Sequence, residues 1–446
     1  MEIFRTYDIR GKVPDDLNEK NVYEIARAFV LYAKCKEVRV GQDCRLSSPT
    51  LFTAMVKGLT DQGANVIDIG LCSTPMLYHV SKNGPAAMIT ASHMPKEFNG
   101  IKFCRQGAQP VGTATGLLDI KKIVEAGHFP TPISKGTTRK VDILADYVTH
   151  CLSFITTPLK PYTVVADAGN GMGGLACTEI FKHIPCTLIP LFFKPDGRFP
   201  NHEANPIKPE NLKDLQAAVK KHRAHLGAAY DADCDRILFV DENGKIITGD
   251  KILGLLALEF LKRQKNATIL YDLRSTRTVP ETIQKHGGKA MRTPVGHALI
   301  KPLMKKHNAI IGGELSGHFF IRDNQYAESA DITLLLILSL LSQENKPLSE
   351  LAKPFAVYAH SGEINFDVED REKMMKLLKD HYPGARVDTL DGITLDFTDW
   401  WFNARPSQND PVLRLVVEAK TQTMLDEKLA ELRRIIAGSQ ALTQYL

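Results

Sequence analysis

Short apolar runs alternate with longer stretches of helical periodicity over the first 360 residues of the chain. Runs of three to five mostly apolar residues between polar turns are typical of buried strands, whereas apolar residues three and four positions apart indicate helices. The alternation predicts parallel strands joined through helices. The predicted strands are residues 38–41, 66–69, 86–89, 163–166, 187–191, 226–229, 268–271, 289–292 and 309–311. The predicted helices are residues 49–62, 174–183, 209–222, 279–285 and 298–306.

Three segments of this pattern share one plan, which indicates an internal repeat. Each first strand runs into an aspartate and a polar loop, GQDCRLSS, ADAGNGMGG and YDLRSTRT. Each third strand runs into a loop of reactive side chains, TASHMP, YDADCDR and GGELSGH. Because open α/β sheets bind ligands beyond the carboxyl ends of their strands, three copies of one fold would place these loops around one cleft. Three unrelated sheets with polar loops are the alternative.

The pattern changes after residue 361. Strands are predicted at residues 363–368, 393–397 and 412–417, and helices at 369–380 and 424–437. Strands that pair beside helices on one face define an α+β module.

The length of 446 residues exceeds what a single hydrophobic core supports, so we expect several domains. The expected fold class is α/β, with three related mixed α/β domains and a C-terminal α+β domain around a central cleft. In the first three domains, helices cover sheets rich in parallel strands. The expected domains are residues 1–152, 153–247, 248–360 and 361–446.

Composition and charge exclude several classes of protein. A hydrophobic fraction of 43% and a charged fraction of 24% are those of an ordinary soluble protein. The net charge of +5 fits an anionic small substrate, and no Lys/Arg block indicates nucleic acid. The longest apolar stretch, residues 332–341, is too short to cross a membrane, and the N-terminus lacks a signal-peptide pattern. Eight cysteines without a Cys-x-x-Cys pair favour reduced thiols. We expect a cytoplasmic monomer or weak dimer with no nucleic-acid or membrane partner.

Residues 90–102, TASHMPKEFNGIK, place Ser92 and His93 on a loop after a buried strand. The pair Asn99-Gly100 is a turn signal. A serine hydroxyl at a strand end serves as a covalent nucleophile when a neighbouring group activates it. We interpret Ser92 as the carrier of a phosphoryl group on which the other loops converge. A polar loop whose Ser and His only cap a helix is the alternative.

Asp231, Asp233 and Asp235 alternate within YDADCDR. In an extended loop this alternation puts three carboxylates on one side. Three close like charges need a cation, and hard oxygen ligands suit Mg²⁺, whose shell a phosphorylated Ser92 would complete. Arg236 would lie beside the metal and hold a phosphate oxygen. An EF-hand is excluded because Arg236 stands where that loop needs Gly, whereas a solvated acidic turn without a metal remains open.

The loop GGELSGH supplies Glu314, Ser316 and His318. Glu and Ser suit hydrogen bonding to adjacent sugar hydroxyls, and His suits the same role or proton transfer. Because a lone histidine is more often structural, this motif is weak by itself.

Residues 404–414, ARPSQNDPVLR, form a turn bounded by prolines and predict an anion site. Arginine forks bind phosphate bidentately, and Ser and Asn add neutral donors. A surface turn with a solvated arginine is the alternative. The candidate ligands are Arg405, Ser407, Gln408, Asn409 and Arg414.

Near the N-terminus, FRTYDIRG contains a compact polar cluster of Tyr7, Arg10 and Gly11. We expect Arg10 to face the phosphorylated Ser92. Lys102 is a candidate proton carrier, and a role as base requires a pKa lowered by burial or by a nearby cation.

Taken together and in order, FRTYDIRG, TASHMPKEFNGIK, DADCDR, GGELSGH and RPSQNDPVLR resemble the motifs of the α-D-phosphohexomutase superfamily. The resemblance covers essentially the whole chain and is specific to the bacterial phosphomannomutase/phosphoglucomutase branch. It implies a phosphoserine that exchanges its phosphoryl group with a phosphosugar through a hexose 1,6-bisphosphate. It also implies roles in catalysis for Ser92, Tyr7, Arg10, Lys102 and His318, and Mg²⁺ binding by Ser92, Asp231, Asp233 and Asp235. The implied substrate ligands are Glu314, Ser316, His297, Arg274, Arg236, Arg405, Ser407, Asn409 and Arg414.

The chain departs from the motifs of that superfamily at several positions. Met94 stands where Asn is usual, Ala232 and Cys234 where Gly is usual, and Arg274 where many members have Lys. The phosphate loop reads SQNDP where SNTEP is usual. A phosphosugar hydrolase, in which water displaces the phosphoserine, an inactive phosphosugar-binding protein and a phosphoglucosamine mutase remain alternatives. In that last group Gln usually replaces Leu315. The sequence leaves the choice between mannose and glucose open.

Overall fold

The structure is a computed structural model that describes residues 2–407 and 412–443, with side chains described through residue 438. Its strands form four sheets, one of seven strands and three of five. Among these residues, no helix combines the length and the apolarity that a membrane span requires.

The N-terminal domain folds around the seven-stranded sheet. Its elements are β1 (Ile9–Lys12), α1 (Glu19–Ala33), β2 (Glu37–Gln42), α2 (Ser48–Asp61), β3 (Asn65–Leu71), α3 (Thr74–Val80), β4 (Ala86–Ile89), β5 (Phe98–Arg105), β6 (Gln109–Pro110), α4 (Leu117–Ala126) and β7 (Thr138–Lys140), and α5 (Leu144–Leu152) follows as the lead into the second domain. The strand order is β1-β5-β4-β2-β3-β7, with β6 paired to β5. β2 is parallel to β3 and β4, whereas β5 is antiparallel to β4. The connection from β4 to β5 therefore contains Ser92.

The second and third domains repeat this arrangement. The second contains β8 (Thr163–Asp167), α6 (Gly173–Phe181), β9 (Thr187–Leu191), α7 (Lys213–His222), β10 (Leu226–Tyr230), β11 (Ile237–Asp241) and β12 (Ile246–Ile247). The third contains α8 (Gly249–Arg263), β13 (Thr268–Asp272), α9 (Thr278–Lys285), β14 (Lys289–Thr293), α10 (His297–Lys306), β15 (Ile311–Gly313), β16 (Phe319–Ile321), β17 (Ala327–Glu328), α11 (Ala330–Glu344) and α12 (Leu348–Ala352). Their strand orders are β12-β11-β10-β8-β9 and β14-β13-β15-β16-β17.

In each of these three sheets the first strand of the repeat lies between the second and the third, and the chain then returns antiparallel. The three returns are the hairpins β4–β5, β10–β11 and β15–β16. Each hairpin turn contains one residue with a left-handed backbone: Ser92 at φ 51°, Cys234 at φ 65° and Gly317 at φ 87°. The predicted repeat of mixed α/β domains is confirmed, and its reactive loops occupy equivalent turns.

The C-terminal domain is an antiparallel α+β unit, as the sequence predicts. It contains β18 (Ala359–Asp367), α13 (Arg371–His381), β19 (Arg386–Asp388), β20 (Ile393–Asp396), β21 (Trp400–Pro406), β22 (Val412–Ala419) and α14 (Gln422–Thr443). The strand order is β18-β22-β21-β20-β19.

The first three domains share a hydrophobic core that the fourth does not join. That core runs from Ile67 to Phe355 and includes α11, whose residues 330–342 are all buried. The fourth domain has its own core beneath β20–β22. Polar contacts join it to the third domain, as when Arg292 Nη1 donates to Asp388 Oδ2 at 2.9 Å.

Three predictions about local structure are wrong. Asn99-Gly100 is not a turn but part of β5, because β5 pairs on both sides and the Asn99 amide donates to Ser48 Oγ inside the domain. The strand predicted at residues 309–311 is wrong only in its bounds, because it spans Ile311–Gly313, although Ile310 N–H already donates to Thr268 O. Residues 404–406 and 412–414, expected in a turn, belong to strands, because β21 extends to Pro406 and β22 begins at Val412.

Gly100 gives a sharp test of the β1–β5 pairing. A Cβ at this position would meet Ile9 O, and it would lie 2.8 Å from Thr90 O. Because both obstacles are backbone atoms, we expect Gly100→Ala to lower the free energy of unfolding by about 3 kcal/mol. Urea denaturation followed by circular dichroism measures the effect. Gly384→Ala, whose Cβ meets nothing within 4 Å, is the control and should change stability by less than about 1 kcal/mol. Equal stabilities of the two variants would contradict the described packing.

A buried carboxyl on α11 gives a test in pH. Asp331 Oδ2 accepts a hydrogen bond from Tyr147 OH at 3.0 Å, and burial raises the pKa of Asp331 to about 6. A carboxyl whose pKa is raised by folding contributes stability that is fully present below its unfolded-state pKa. That stability is lost as the pH rises through its folded-state pKa. We therefore expect the wild type to lose up to about 3 kcal/mol of stability relative to Asp331→Asn between about pH 4 and pH 7. Paired urea titrations across this range measure it, and a difference independent of pH would contradict the assignment.

Candidate active site

A cleft of about 520 Å³ lies where the four domains meet. Most of the candidate site residues predicted from the sequence lie on its wall. From the first domain to the fourth, the nominated residues on the wall are Tyr7, Arg10, Arg236, Arg274, His297, Glu314, Ser316, His318, Arg405, Ser407 and Arg414. Ser92, Lys102 and the three aspartates lie behind this wall and are buried. Gln408 and Asn409 lie outside the described residues.

Ser92 meets the acidic loop of the second domain. Its Oγ donates to Asp231 Oδ2 at 2.9 Å and lies 3.1 Å from His93 Nδ1. The Ser92 N–H donates to Thr90 Oγ1 at 3.0 Å. Two hairpin turns from different domains therefore bring the predicted nucleophile and the predicted metal ligands into direct contact.

The three aspartates converge, but not through an extended loop. The loop is a tight turn in which Cys234 N–H donates to Asp231 O at 3.2 Å. One oxygen of each carboxylate lies within 4.8 Å of the others. Asp233 Oδ2 accepts from Thr74 Oγ1 at 2.7 Å, whereas Asp233 Oδ1 has no hydrogen-bond partner among the described residues. The prediction of an extended loop is wrong, although the turn brings the carboxylates together.

The charges of this trio are only partly balanced. Burial, and then the charges of Asp235 and Asp233, raise the pKa of Asp231 well above its ordinary value. Burial also opposes ionisation of Asp235, but Lys102 and His318 hold its pKa well below the usual range. Three crowded, buried carboxylates fit a divalent cation such as Mg²⁺, because one Asp233 oxygen has no hydrogen-bond partner among the described residues.

Lys102 does not have the lowered pKa that a general base requires. It projects from β5, and its Nζ donates to Asp233 Oδ2 at 2.7 Å and to Asp235 Oδ2 at 2.5 Å. Burial lowers the pKa of Lys102, but the two carboxylates outweigh this effect and raise it above its ordinary value. In this arrangement Lys102 is an ammonium that balances charge.

The hairpin turn of the third domain positions Glu314 and His318. Glu314 Oε1 accepts from Gly296 N–H at 2.8 Å, and Glu314 Oε2 lies 2.7 Å from His318 Nδ1. Burial and Arg236 lower the pKa of His318, but Asp235 and Glu314 outweigh them and raise it to about 9. The raised pKa favours protonation of His318, whose ring links Glu314 of the third domain to Asp235 of the acidic trio.

Three arginines of the candidate phosphate site converge on Glu363. Its carboxylate accepts from Arg274 Nη1 at 3.2 Å, from Arg405 Nη2 at 2.6 Å and from Arg414 Nη1 at 3.1 Å. Burial raises the pKa of Glu363, but the three cations outweigh it and lower the pKa to about 2. The arginines of two domains are thus held together by one carboxylate.

The N-terminal cluster is held by contacts with two domains. Tyr7 OH donates to Val295 O at 2.7 Å, and burial raises the pKa of Tyr7 above its ordinary value. Arg10 Nε donates to Asp8 Oδ2 at 2.9 Å, and its Nη1 donates to Ala91 O at 3.2 Å, next to Ser92. Arg10 therefore lies beside the serine loop, residues 90–97 between β4 and β5.

His297 and several residues that the sequence does not single out complete the site. His297 Nδ1 lies 3.9 Å from Glu328 Oε1. Glu328 also belongs to a second cluster able to hold a metal, with Asp235 and His318. Sequence reasoning missed Asp8, Glu328 and Glu363, because an acidic residue outside a repeated pattern has no distinguishing spacing.

Comparison with known proteins agrees with this geometry. The four domain families of phosphoglucomutase/phosphomannomutase match the chain in order: α/β/α domain I at residues 1–131, domain II at 144–244, domain III at 248–358 and the C-terminal domain at 363–435. A phosphomannomutase of Escherichia coli is 38% identical over 95% of this chain and 96% of its own length.

Two solved structures extend the comparison. A phosphoglucomutase/phosphomannomutase family protein of Burkholderia thailandensis is 31% identical, with a TM-score of 0.90 over 98% of this chain and 97% of its own. An N-acetylphosphoglucosamine mutase of Aspergillus fumigatus, in complex with GlcNAc-6P and magnesium, shares the fold at 14% identity, with a TM-score of 0.64 over 97% of this chain and 95% of its own.

The four-domain fold and the cleft at its centre define a phosphohexomutase, which is an isomerase. Within that class, the chain belongs to the phosphoglucomutase/phosphomannomutase family.

The acidic trio can be tested without measuring turnover. We expect Asp233→Asn to weaken Mg²⁺ binding about 10-fold or more, because it removes one charged oxygen ligand. Isothermal titration calorimetry with Mg²⁺ measures the dissociation constant. Asp214→Asn, at an exposed position of α7 in the same domain, is the control and should bind Mg²⁺ as the wild type does. Wild-type affinity in Asp233→Asn would show that the trio is not the metal site.

Proposed function

We propose that the protein interconverts hexose 6-phosphate and hexose 1-phosphate, with mannose and glucose as candidate sugars, through a phosphoserine at Ser92. The observation that carries this proposal is the 2.9 Å contact of Ser92 Oγ with Asp231 behind the wall of a cleft that four domains share. The similarity to a phosphomannomutase supports mannose as a substrate.

Phosphoryl transfer to the sugar breaks the bond between phosphorus and Ser92 Oγ and forms a bond to a sugar hydroxyl oxygen. The sugar hydroxyl loses its proton as the new bond forms and Ser92 Oγ takes up one proton, so the serine hydroxyl is restored and the product is a hexose 1,6-bisphosphate. After the bisphosphate turns round, its other phosphate returns to Ser92. Arg10 and Arg236 neutralise charge on the transferring group. A Mg²⁺ ion held by Ser92, Asp231, Asp233 and Asp235 would add charge neutralisation there.

The phosphate that does not react is held by the arginines around Glu363. Arginine forks bind phosphate bidentately, and Ser407 and Asn409 add neutral donors. The ligands we assign to this phosphate are Arg274, Arg405, Ser407, Asn409 and Arg414. Because the bisphosphate turns round, this site must accept either end of the sugar. A fourth domain with its own core suits such an exchange, since it can open and close on the other three.

Glu314, Ser316 and His297 contact sugar hydroxyls in this proposal, beside Tyr7 and His318. Mannose and glucose differ only at C2, so their relative rates depend on contacts to that hydroxyl. Isomerisation kinetics with mannose, glucose and glucosamine 1-phosphates, with and without Mg²⁺, establish the substrate. Faster turnover of glucosamine 1-phosphate would favour the phosphoglucosamine mutase alternative.

The role of Ser92 has a direct test. We expect Ser92→Ala to lower kcat by at least about 1,000-fold, because the variant lacks the group that carries the phosphoryl, while binding of mannose 1-phosphate persists. A coupled isomerase assay measures turnover, and calorimetry measures binding. Ser81→Ala, a buried serine of the same domain whose Oγ donates to Tyr78 O, is the control and should retain turnover.

Near wild-type turnover in Ser92→Ala would contradict the proposal. Stoichiometric release of free phosphate from mannose 1-phosphate by the wild type would instead identify a hydrolase.

A further inference from the structure

One buried arginine, Arg45, binds the backbone of the serine loop. The Arg45 side chain is 1% exposed and extends from the loop after β2. Its Nη2 donates to Ser92 O at 2.6 Å and to Met94 O at 2.7 Å. Its Nη1 donates to Pro95 O at 2.8 Å and to Phe98 O at 3.0 Å. A single guanidinium therefore binds four carbonyl oxygens, three in the connection between β4 and β5 and one at Phe98, the first residue of β5.

Arg45 is itself fixed from two sides. Its Nε lies 3.2 Å from Asp43 Oδ2, and its N–H donates to Asp43 Oδ1 at 3.0 Å. Its Cζ lies 5.1 Å from the ring centroid of Phe199, which belongs to the second domain. A planar group with five N–H donors, anchored in this way, has little freedom to follow a moving loop.

The serine loop needs such a support. Ser92 has a left-handed backbone at φ 51°, a conformation that residues other than Gly and Asn rarely adopt. Among the described residues, no backbone N–H donates to Ser92 O or Met94 O. Without Arg45, these two carbonyls would lose the hydrogen bonds that hold the strained turn.

The same unit occurs in the third domain and serves another purpose there. Asp272 ends β13, and Arg274 follows two residues later. The Arg274 backbone N–H donates to Asp272 Oδ1 at 2.9 Å and its Nε donates to Asp272 Oδ2 at 2.9 Å, which repeats the pairing of Arg45 with Asp43. Arg274 Nη2 also donates to Asp272 Oδ2 at 2.5 Å, and Arg274 Nη1 donates to Glu363 Oε2, on the cleft wall, at 3.2 Å. In the repeat, one Asp-x-Arg unit faces the cleft and the other, Asp43–Arg45, faces the serine loop.

We propose that Arg45 is a positioning residue for phosphoryl transfer, which holds Ser92 in the left-handed conformation that points its Oγ at Asp231. The inference rests on the proposed role of Ser92. Loss of the four carbonyl contacts displaces the reacting oxygen and leaves the sugar and phosphate ligands of the cleft in place. A displacement of the nucleophile lowers kcat, whereas KM depends on the groups that remain.

The test compares Arg45→Lys with Arg39→Lys. Lysine keeps the charge, but its ammonium cannot reach four carbonyls in a fork, so we expect kcat to fall about 10- to 100-fold with KM within about 3-fold. Arg39 is a buried arginine of the same domain that donates to Glu37 Oε1 at 2.7 Å, and Arg39→Lys should keep kcat within about 2-fold. Steady-state kinetics with mannose 1-phosphate measure both parameters.

Hydrogen exchange separates positioning from general loss of structure. We expect amides of residues 91–98 to exchange faster in Arg45→Lys, with protection of α1 and α2 unchanged. If that variant does not fold, Asp43→Asn keeps the carbonyl contacts and loosens their anchor, and it should lower kcat in the same sense. Unchanged kcat in Arg45→Lys, or in Asp43→Asn when it is the variant that folds, overturns the inference. So does a rise in KM alone. Ser92→Ala assayed in parallel tells this failure apart from failure of the proposed function, because only the latter leaves Ser92→Ala active.

Discussion

The contact between Ser92 and Asp231 is the constraint around which the rest of the site is arranged. Three carboxylates behind the cleft wall carry more negative charge than a buried site tolerates without partners. Lys102 from β5 and His318 from the third domain supply part of the balance. Lys102 of the first domain and His318 of the third therefore lie against the acidic turn of the second domain, and the Ser92 hydroxyl donates to the same turn.

Repetition of one fold explains how these groups meet. Each of the first three domains ends its third parallel strand in a hairpin turn, and the three turns carry the serine, the aspartates and the Glu314–His318 pair. A shared core fixes these turns relative to one another. The fourth domain contributes arginines across a polar boundary, and Glu363 ties them to Arg274. The proposed reacting centre thus rests on the shared core, whereas most of the proposed phosphate ligands belong to a domain with its own core.

The sequence predicts the strands best where local pattern alone decides. Strands 86–89 and 187–191 have the predicted bounds, because each is a short run between turns. The turn predicted at Asn99-Gly100 is wrong because pairing of β5 with two neighbouring strands overrides the local turn signal. The charge of Lys102 depends on carboxylates more than 130 residues away, which no local pattern contains. Glu363 and Arg45 act through such distant contacts as well, although the repeated Asp-x-Arg spacing is visible in the sequence.

The central claim is that Ser92 carries a phosphoryl group and passes it to a sugar. The most direct measurement is tandem mass spectrometry of the protein after incubation with a hexose 1,6-bisphosphate, before and after addition of mannose 1-phosphate in excess. We expect one phosphoryl group, located on Ser92, that is lost to the sugar with stoichiometric formation of bisphosphate. A phosphoryl group on another residue, or a phosphorylated Ser92 that the sugar phosphate does not discharge, would contradict the claim.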